Sequence, residues 1–235
     1  MSVLISRNPA RTRTTVSQIS PAPLPPHAGR PPRTAGAPLD GASAAMILVH
    51  GRGATADSIL ELTRVLTTPG FAFLAPQAAG GTWYPQSFLA PIPLNEPGIG
   101  SGLSVIHALV ASVTAAGIPA ERTLLLGFSQ GACLASEYVA RRGQRLGGLA
   151  ALSGGLIGPD DTPRDYPGSL DGTPVFLGCS DVDFHIPRER VELTARVLDD
   201  MGADVDMRLY PGMGHTVNQD EIDAVRAMME HIAAK

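Results

Sequence analysis

The serine with the clearest chemical context is Ser129, in the pentapeptide GFSQG at residues 127–131. An apolar run typical of a buried strand precedes this pentapeptide, and a segment rich in small residues, typical of a helix, follows it. In such a glycine-flanked turn a serine hydroxyl is presented on a tight bend, where it can attack a carbonyl carbon. The first turn of the helix adds an N–H group and a field that favours a developing oxyanion. We therefore predict Ser129 as a nucleophile that forms an acyl-enzyme.

A serine nucleophile needs a general base and an acid that orients the base, and candidates for both follow Ser129 in the chain. His215 ends the loop PGMGH, which comes after the last predicted strand. Asp181 and Asp183 lie in CSDVDFHIP at residues 179–187, after an earlier strand. The order serine, acid, histidine is the one expected for a nucleophile in this kind of turn. Only one aspartate can reach the histidine, and the residues alone leave both open.

The tetrapeptide HGRG at residues 50–53 follows the first strong predicted strand. In sites of this type a loop in this place supplies one oxyanion N–H, and the residue after the nucleophile supplies the other. We assign these donors to the backbone amides of Arg52 and Gln130, each typically worth about 3 kcal/mol in the transition state. For His50, a structural hydrogen bond is favoured over a role as base.

The elements that must position these residues alternate between strands and helices. Most strands lack polar alternation, as parallel strands covered on both faces do. This pattern predicts an α/β protein with a mostly parallel central sheet, helices on both faces and no large lid domain: the α/β-hydrolase fold. The predicted strands are residues 46–49, 71–74, 123–126, 149–152, 175–177 and 207–210. The predicted helices are residues 58–66, 105–116 and 187–201. Two further helices are predicted, one directly after Ser129 and one capped by Asn218.

Length and composition bound the rest. Residues 1–39 hold five arginines and no acid, and residues 1–40 hold eight of the 21 prolines. We therefore predict that residues 1–40 are a disordered extension without a catalytic part and that residues 41–235 are the catalytic domain. The net charge of −4 argues against a nucleic-acid partner. No apolar run approaches the roughly 18–20 residues that span a bilayer, so we expect no integral membrane association.

The remaining expectations concern cofactors and setting. No histidines recur at metal-ligand spacing, so neither a metal nor another cofactor is predicted. The two cysteines, Cys133 and Cys179, form no framework pattern, which favours a reduced, cytoplasmic setting. The partner is expected to be a small-molecule ester, and a homodimer stays open.

The longest irregular segment, residues 76–98, contains the only tryptophan. We predict that Trp83, Tyr84 and Phe88 line the substrate pocket, with Met213 from the histidine loop as a further contact. The alternative, that the aromatic residues cap the edge of the core, has equal weight. With no large insertion, the cleft should be open.

From about residue 44 to the C-terminus, these motifs resemble the small phospholipase/carboxylesterase group, which includes acyl-protein thioesterase-like and bacterial esterases. The matching pieces are residues 50–53, 127–131, 183–187 and 212–215. The resemblance implies a carboxylesterase, and Asp183 rather than Asp181 as the acid. Arg52 stands where acyl-protein thioesterases usually carry a bulky apolar residue, which favours a small-molecule ester over a lipidated protein. A lysophospholipase, an acyl thioesterase, a dienelactone-type hydrolase and a non-catalytic binding protein are the alternatives.

Overall fold

The computed structural model describes residues 19–234. Its strands are β1 (Arg33–Gly36), β2 (Ala44–Val49), β3 (Phe71–Ala75), β4 (Thr123–Phe128), β5 (Gly148–Leu152), β6 (Pro174–Ser180) and β7 (Asp204–Tyr210). Its α-helices are α1 (Ala56–Leu60), α2 (Gly98–Ala115), α3 (Gln130–Arg142), α4 (Arg188–Asp200) and α5 (Gln219–Ala233). Short 3-10 helices cover Leu39–Gly41, Glu61–Arg64, Ala79–Gly81, Ile92–Asn95 and Ala120–Arg122.

The strands form one sheet in the order β1-β3-β2-β4-β5-β6-β7. Strand β1 is antiparallel to β3, and the other six strands are parallel. The six strands predicted from apolar runs are these six parallel strands, and the predicted α/β-hydrolase fold is confirmed. Because all six run the same way, their carboxyl ends, where Ser129 and Arg52 follow β4 and β2, meet at one edge of the sheet.

Both faces of the sheet are covered by apolar packing. In β2, Ile47 and Val49 belong to one buried cluster, while Met46 and Leu48 belong to the cluster on the opposite face. Successive side chains of a strand point to opposite faces, so a strand buried on both sides has no polar position. This explains why the central strands appear in the sequence as continuous apolar runs.

Two helices begin where the sequence did not predict. Helix α2 starts at Gly98, seven residues before the predicted start, because glycines 98, 100 and 102 lower helix propensity there. A Cβ at Gly98 would lie 2.5 Å from the Trp83 carbonyl oxygen, so the glycine allows close packing. Helix α1 is capped by Thr55 rather than Asp57, through a capping box with Ser58.

Helix α2 is also longer and more apolar than the sequence predicted. Within residues 19–234 it alone has the length and composition that could cross a membrane, but 61% of it is buried inside the structure. It packs against α3 and β2. These contacts make it a core helix of the α/β fold.

Residues 19–40 differ from the predicted disordered extension. Strand β1 adds to the sheet, and His27, 2% exposed, is buried against α2. The Ser104 hydroxyl accepts the Leu24 N–H at 2.9 Å, and the Ser101 hydroxyl accepts the His27 N–H at 2.9 Å. Hydrogen bonds to residues distant in the chain hold this segment in place. Its ordered structure could therefore not be predicted from the composition of the segment itself. The predicted disorder of residues 1–18 lies outside the described residues.

Substitution of Gly131 by alanine should lower the free energy of unfolding by about 3 kcal/mol or more. A Cβ at this position, in the first turn of α3, would overlap the carbonyl oxygen of Val49 in the adjacent strand. The atoms that this Cβ would overlap belong to the backbone at the end of β2, so no side chain can rotate to relieve the clash. Urea unfolding followed by circular dichroism measures the change. Gly41→Ala is the matched control, since a Cβ there has no atom within 4 Å. Equal midpoints for the two variants would contradict the prediction.

Candidate active site

Ser129 stands on the turn between β4 and α3. Its backbone has φ 54° and ψ −120°, a conformation that a residue with a side chain rarely adopts. Its N–H donates to the Leu152 carbonyl at 2.9 Å, which ties the turn to β5. The absence of a side chain at Gly131 lets α3 pack closely against the end of β2. The strained turn therefore presents the Ser129 hydroxyl at the carboxyl edge of the sheet.

A hydrogen-bonded chain joins Ser129, His215 and Asp183. His215 Nε2 lies 2.9 Å from Ser129 Oγ, and His215 Nδ1 lies 2.7 Å from Asp183 Oδ2. A carboxylate at Nδ1 favours the proton on that nitrogen, which leaves Nε2 to accept from the serine. This arrangement can take the hydroxyl proton as the oxygen attacks.

The Asp183 carboxyl group is fully buried and saturated with donors. Its Oδ1 accepts the His185 N–H at 2.8 Å and the Ile186 N–H at 3.1 Å. Burial alone would raise the pKa of Asp183, but the hydrogen bond from His215 and those from the two amides outweigh it and lower the pKa. The carboxylate therefore stays ionised beside the imidazole.

Asp181 has a different role. Its exposed carboxylate accepts the Gly212 N–H at 2.8 Å and so fastens the loop that carries His215. Of the two aspartates that the residues left open, the structure brings Asp183 to the histidine, in line with the resemblance.

The turn after β2 is held by His50, which is fully buried. Its Nδ1 donates to the Gly51 carbonyl at 2.7 Å, and its Nε2 accepts the Ala78 N–H at 3.1 Å. Desolvation by burial lowers the pKa of His50, so the ring is neutral. His50 thus makes the structural hydrogen bonds that the sequence favoured, and the turn places Arg52 at the cleft.

The two assigned oxyanion donors lie at the ends of adjacent strands. Gln130 is the first residue of α3, so its N–H has no partner within the helix. Arg52 follows β2 by three residues, and its N–H has no acceptor within residues 19–234. Both residues line the cleft beside Ser129.

Trp83 does not line the cleft, contrary to its predicted substrate contact. It is fully buried, and its ring lies between His27 and His50, with centroid distances of 5.1 Å to each. Its Nε1 donates to the His50 carbonyl at 2.9 Å, and its N–H donates to Gln130 Oε1 at 2.8 Å. Trp83 therefore supports the turns that carry Arg52 and Gln130 from inside the core, because its large ring gains more from burial than from exposure at the rim.

The cleft at Ser129 has a volume of about 450 Å³. Tyr84 and Phe88 line it as predicted, and Met213 does not. The Met213 sulfur instead accepts a hydrogen bond from Asn218 Nδ2 at 3.0 Å. Residues that the sequence did not assign to the cleft include Pro85, Gln86, Ser87, Cys133, His185 and Ile186.

Two of these additional residues, His185 and Cys133, lie next to His215 and Ser129. The His185 ring packs edge-on against His215, with a centroid distance of 4.9 Å. The motif DFHIP at residues 183–187 was the available signal, since it places His185 and Ile186 directly after the acid. Burial raises the pKa of the Cys133 thiol to about 12, so it is neutral and no rival to Ser129 as nucleophile.

No group of three or more His, Cys, Asp or Glu side chains arranged to hold a metal occurs in the part of the chain between residues 19 and 234.

Glu221 gives the helix after His215 an unusual cap. Its Oε2 accepts the Asn218 N–H at 2.8 Å, while Oε1 is buried and has no hydrogen-bond partner within residues 19–234. Burial raises the pKa of Glu221 to about 7 from its ordinary 4.5. A carboxyl group with a raised folded-state pKa contributes stability fully below pH 4.5, and that contribution is lost as pH rises through about 7.

Glu221→Gln should therefore stabilise the protein relative to wild type at pH 8 by about 2 kcal/mol, because the glutamine never ionises. Below pH 4.5 the advantage should vanish. Thermal or urea unfolding of both proteins between pH 4 and 9 measures the difference in their free energies of unfolding. Asp223→Asn, on the exposed face of the same helix, is the control. A gap that does not change with pH would contradict the role of Glu221 ionisation.

The chain matches one family model along most of its length. Residues 35–233 match the model of the phospholipase/carboxylesterase family. The chain is 33% identical over 144 residues to acyl-protein thioesterase 1 of Gibberella zeae and 28% identical over 140 residues to a probable carboxylesterase of Oryza sativa. These matches cover 57% and 59% of this chain. They span only 58% and 52% of the relatives' own lengths.

Solved structures agree over more of the chain. A phospholipase/carboxylesterase from Dyadobacter fermentans is 41% identical, with a TM-score of 0.82, over 86% of this chain and 96% of that one. The esterase PE8 is 25% identical, with a TM-score of 0.71, over 86% of this chain and 99% of that one. The matched region contains the turn at Ser129 and the loops of Asp183 and His215, and this chain belongs to the phospholipase/carboxylesterase family.

Proposed function

We propose that this protein is a serine hydrolase of carboxylic esters, with Ser129 as nucleophile, His215 as general base and Asp183 as the group that orients His215. The observation that carries the proposal is the hydrogen-bonded chain of 2.9 Å and 2.7 Å from Ser129 through His215 to a buried, ionised Asp183. A buried, donor-saturated carboxylate stabilises the imidazolium that forms when the serine proton moves.

The reaction proceeds in two halves. Ser129 Oγ attacks the ester carbon, and its proton passes to His215 Nε2. The negative charge on the carbonyl oxygen is met by the N–H groups of Arg52 and Gln130. The tetrahedral intermediate collapses, His215 protonates the departing alkoxide, and the acyl group stays on Ser129. Water then attacks this ester with His215 again as base, which releases the acid and restores Ser129.

The related proteins support an acyl transfer of this type. Relatives of this chain are named carboxylesterases and acyl-protein thioesterases, and similar structures are named esterases. An acyl thioesterase is the second candidate, because a thiolate leaving group would use the same residues. The phospholipase in the family name keeps a lysophospholipase as an alternative.

We also propose a reducing, cytoplasmic setting. Cys133 and Cys179 are both buried and free, which is typical of proteins kept in a reducing compartment. A homodimer stays a prediction, which size-exclusion chromatography with light scattering would test.

A fluorophosphonate probe tests the proposed nucleophile directly. We expect stoichiometric labelling, with the modified peptide mapped to Ser129 by mass spectrometry, and hydrolysis of p-nitrophenyl acetate and butyrate. Parallel assays on acetyl and butyryl thioesters separate the two candidates by their kcat/KM values. No labelling together with no hydrolysis would instead favour the non-catalytic binding protein.

A further inference from the structure

The side chain of Arg52 brings an uncompensated positive charge to the cleft. Its Nη1 donates to the Pro85 carbonyl at 3.0 Å and its Nη2 to the Gln86 carbonyl at 2.6 Å. Both acceptors are neutral, and Arg52 has no ion pair within residues 19–234. These two bonds use two of the five guanidinium N–H groups. The guanidinium is therefore held in place with its charge and three donors available.

The other cleft residues do not neutralise this charge. The lining described above contains no aspartate or glutamate. Asp183, the nearest catalytic carboxylate, has a fully buried side chain that is turned to His215 and two backbone amides. Arg52 thus places a positive charge at one end of the cleft, and this charge attracts an anion from solvent.

Tyr84 supplies a second unmet donor. Its side chain is 2% exposed, and its hydroxyl has no hydrogen-bond partner of normal geometry in the described part of the chain. The neighbouring group is the Cys133 thiol, a weak partner. Burial raises the pKa of Tyr84, so the hydroxyl keeps its proton. A buried hydroxyl without a partner is unfavourable, and an oxygen of a bound substrate would relieve it.

Tyr84 and Arg52 belong to the same wall of the cleft. The Arg52 Cζ atom lies 6.0 Å from the centroid of the Tyr84 ring. The loop 83–88 that carries Tyr84 is also the loop that holds the guanidinium. The guanidinium and the Tyr84 ring therefore lie on the same side of the cleft.

The order of the strands indicates which end that is. Ser129 follows β4; Arg52 follows β2 on one side of it, while His185 and His215 follow β6 and β7 on the other. The leaving group must receive its proton from His215, so it occupies the side of β6 and β7. The acyl group then extends toward Arg52 and Tyr84.

We infer that the cleft selects esters whose acyl part carries a carboxylate, that is, monoesters of short dicarboxylic acids. This inference rests on the proposed ester hydrolysis. The planar guanidinium matches the two oxygens of a carboxylate, and the Tyr84 hydroxyl donates to the same group. Arg52 then has two separate functions: its backbone N–H donates to the oxyanion, and its side chain binds the carboxylate of the acyl group.

The test compares p-nitrophenyl monoesters of glutarate and adipate with the uncharged pentanoate and hexanoate esters of the same chain lengths. We expect the wild type to favour the charged monoester of one chain length by on the order of tenfold in kcat/KM, the effect of one charge-assisted contact in an open cleft. Added salt should reduce this ratio. Arg52→Gln should abolish the preference for the charged ester, Arg52→Lys should keep part of this preference, and Tyr84→Phe should lower it. Because each ratio is taken within one enzyme, a general loss of activity does not enter it.

Arg122→Gln is the matched control, since Arg122 is a partly exposed arginine whose guanidinium also donates to a backbone carbonyl, that of Ser43, away from the cleft. The ratio of kcat/KM for the charged ester to that for the neutral ester should be the same in Arg122→Gln as in the wild type.

Free glutarate should also inhibit wild-type hydrolysis of the neutral ester more strongly than pentanoate does, which tests the site without any variant. A wild type that hydrolyses neutral esters without preference for charged ones, or an Arg52→Gln enzyme with an unchanged ratio, would overturn the inference and leave the proposed function intact. Failure of the proposed function has a different signature: no ester cleaved and no probe bound, in which case this inference falls with it.

Discussion

Replacement of Ser129 by alanine should lower kcat for ester hydrolysis by about five orders of magnitude or more, to the rate set by the assay background. The alanine removes the hydroxyl oxygen that lies 2.9 Å from His215 Nε2, so the acyl-enzyme cannot form. Residual turnover could come only from water in the cleft, helped by the oxyanion donors. The fluorophosphonate probe should no longer label the protein.

Spectrophotometric assays on p-nitrophenyl butyrate, with far-ultraviolet circular dichroism as a check of folding, measure this change. Ser136→Ala is the matched control: Ser136 lies in α3, is fully buried, and its hydroxyl has no hydrogen-bond partner among the described residues. It should keep wild-type turnover. Hydrolysis by Ser129→Ala above one per cent of the wild-type rate would show that another group is the nucleophile.

Substitution of Asp183 by asparagine should lower kcat by about ten-thousandfold. The asparagine can turn its amide N–H toward His215 and so leave the proton on the wrong ring nitrogen, and it supplies no charge for the imidazolium. The backbone donors of His185 and Ile186 would still have an amide oxygen to bind, so the loop should keep its shape. The loss should therefore appear in kcat rather than in stability.

Asp181→Asn provides the control for this experiment. An asparagine oxygen can still accept the Gly212 N–H, so the loop of His215 should remain fastened and activity should stay within a few-fold of wild type. Steady-state kinetics and thermal unfolding of both variants give the comparison. A larger loss in Asp181→Asn than in Asp183→Asn would reverse the assignment of the orienting acid.

The features that sequence patterns predicted are those with local causes. Apolar runs predicted the six parallel strands because strands buried on both faces must be apolar along their length. The cap of α5 was visible as Asn218 and Glu221, since a capping box spans only four residues. Ser129 could be predicted as the nucleophile because its strained turn requires glycines close in sequence, at 127 and 131.

Other features depended on residues far apart in the chain. The choice of Asp183 over Asp181 follows from which carboxylate meets a loop about 30 residues later, and the two aspartates look alike in sequence. Trp83 lies in the core rather than in the predicted pocket, because its ring packs between His27 and His50, which are distant from it in sequence. The order of residues 19–40 comes from hydrogen bonds to α2 and pairing with β3, to which their proline-rich composition gave no clue.

The chain's local patterns thus determined the fold class and pointed to Ser129 and His215 as the proposed nucleophile and base, because backbone geometry and strand burial constrain residue types within a few positions. Tertiary structure alone decided which aspartate pairs with His215, which aromatic residues face the cleft, and where the Arg52 guanidinium points. These outcomes depend on packing and hydrogen bonds between segments brought together only when the sheet is assembled.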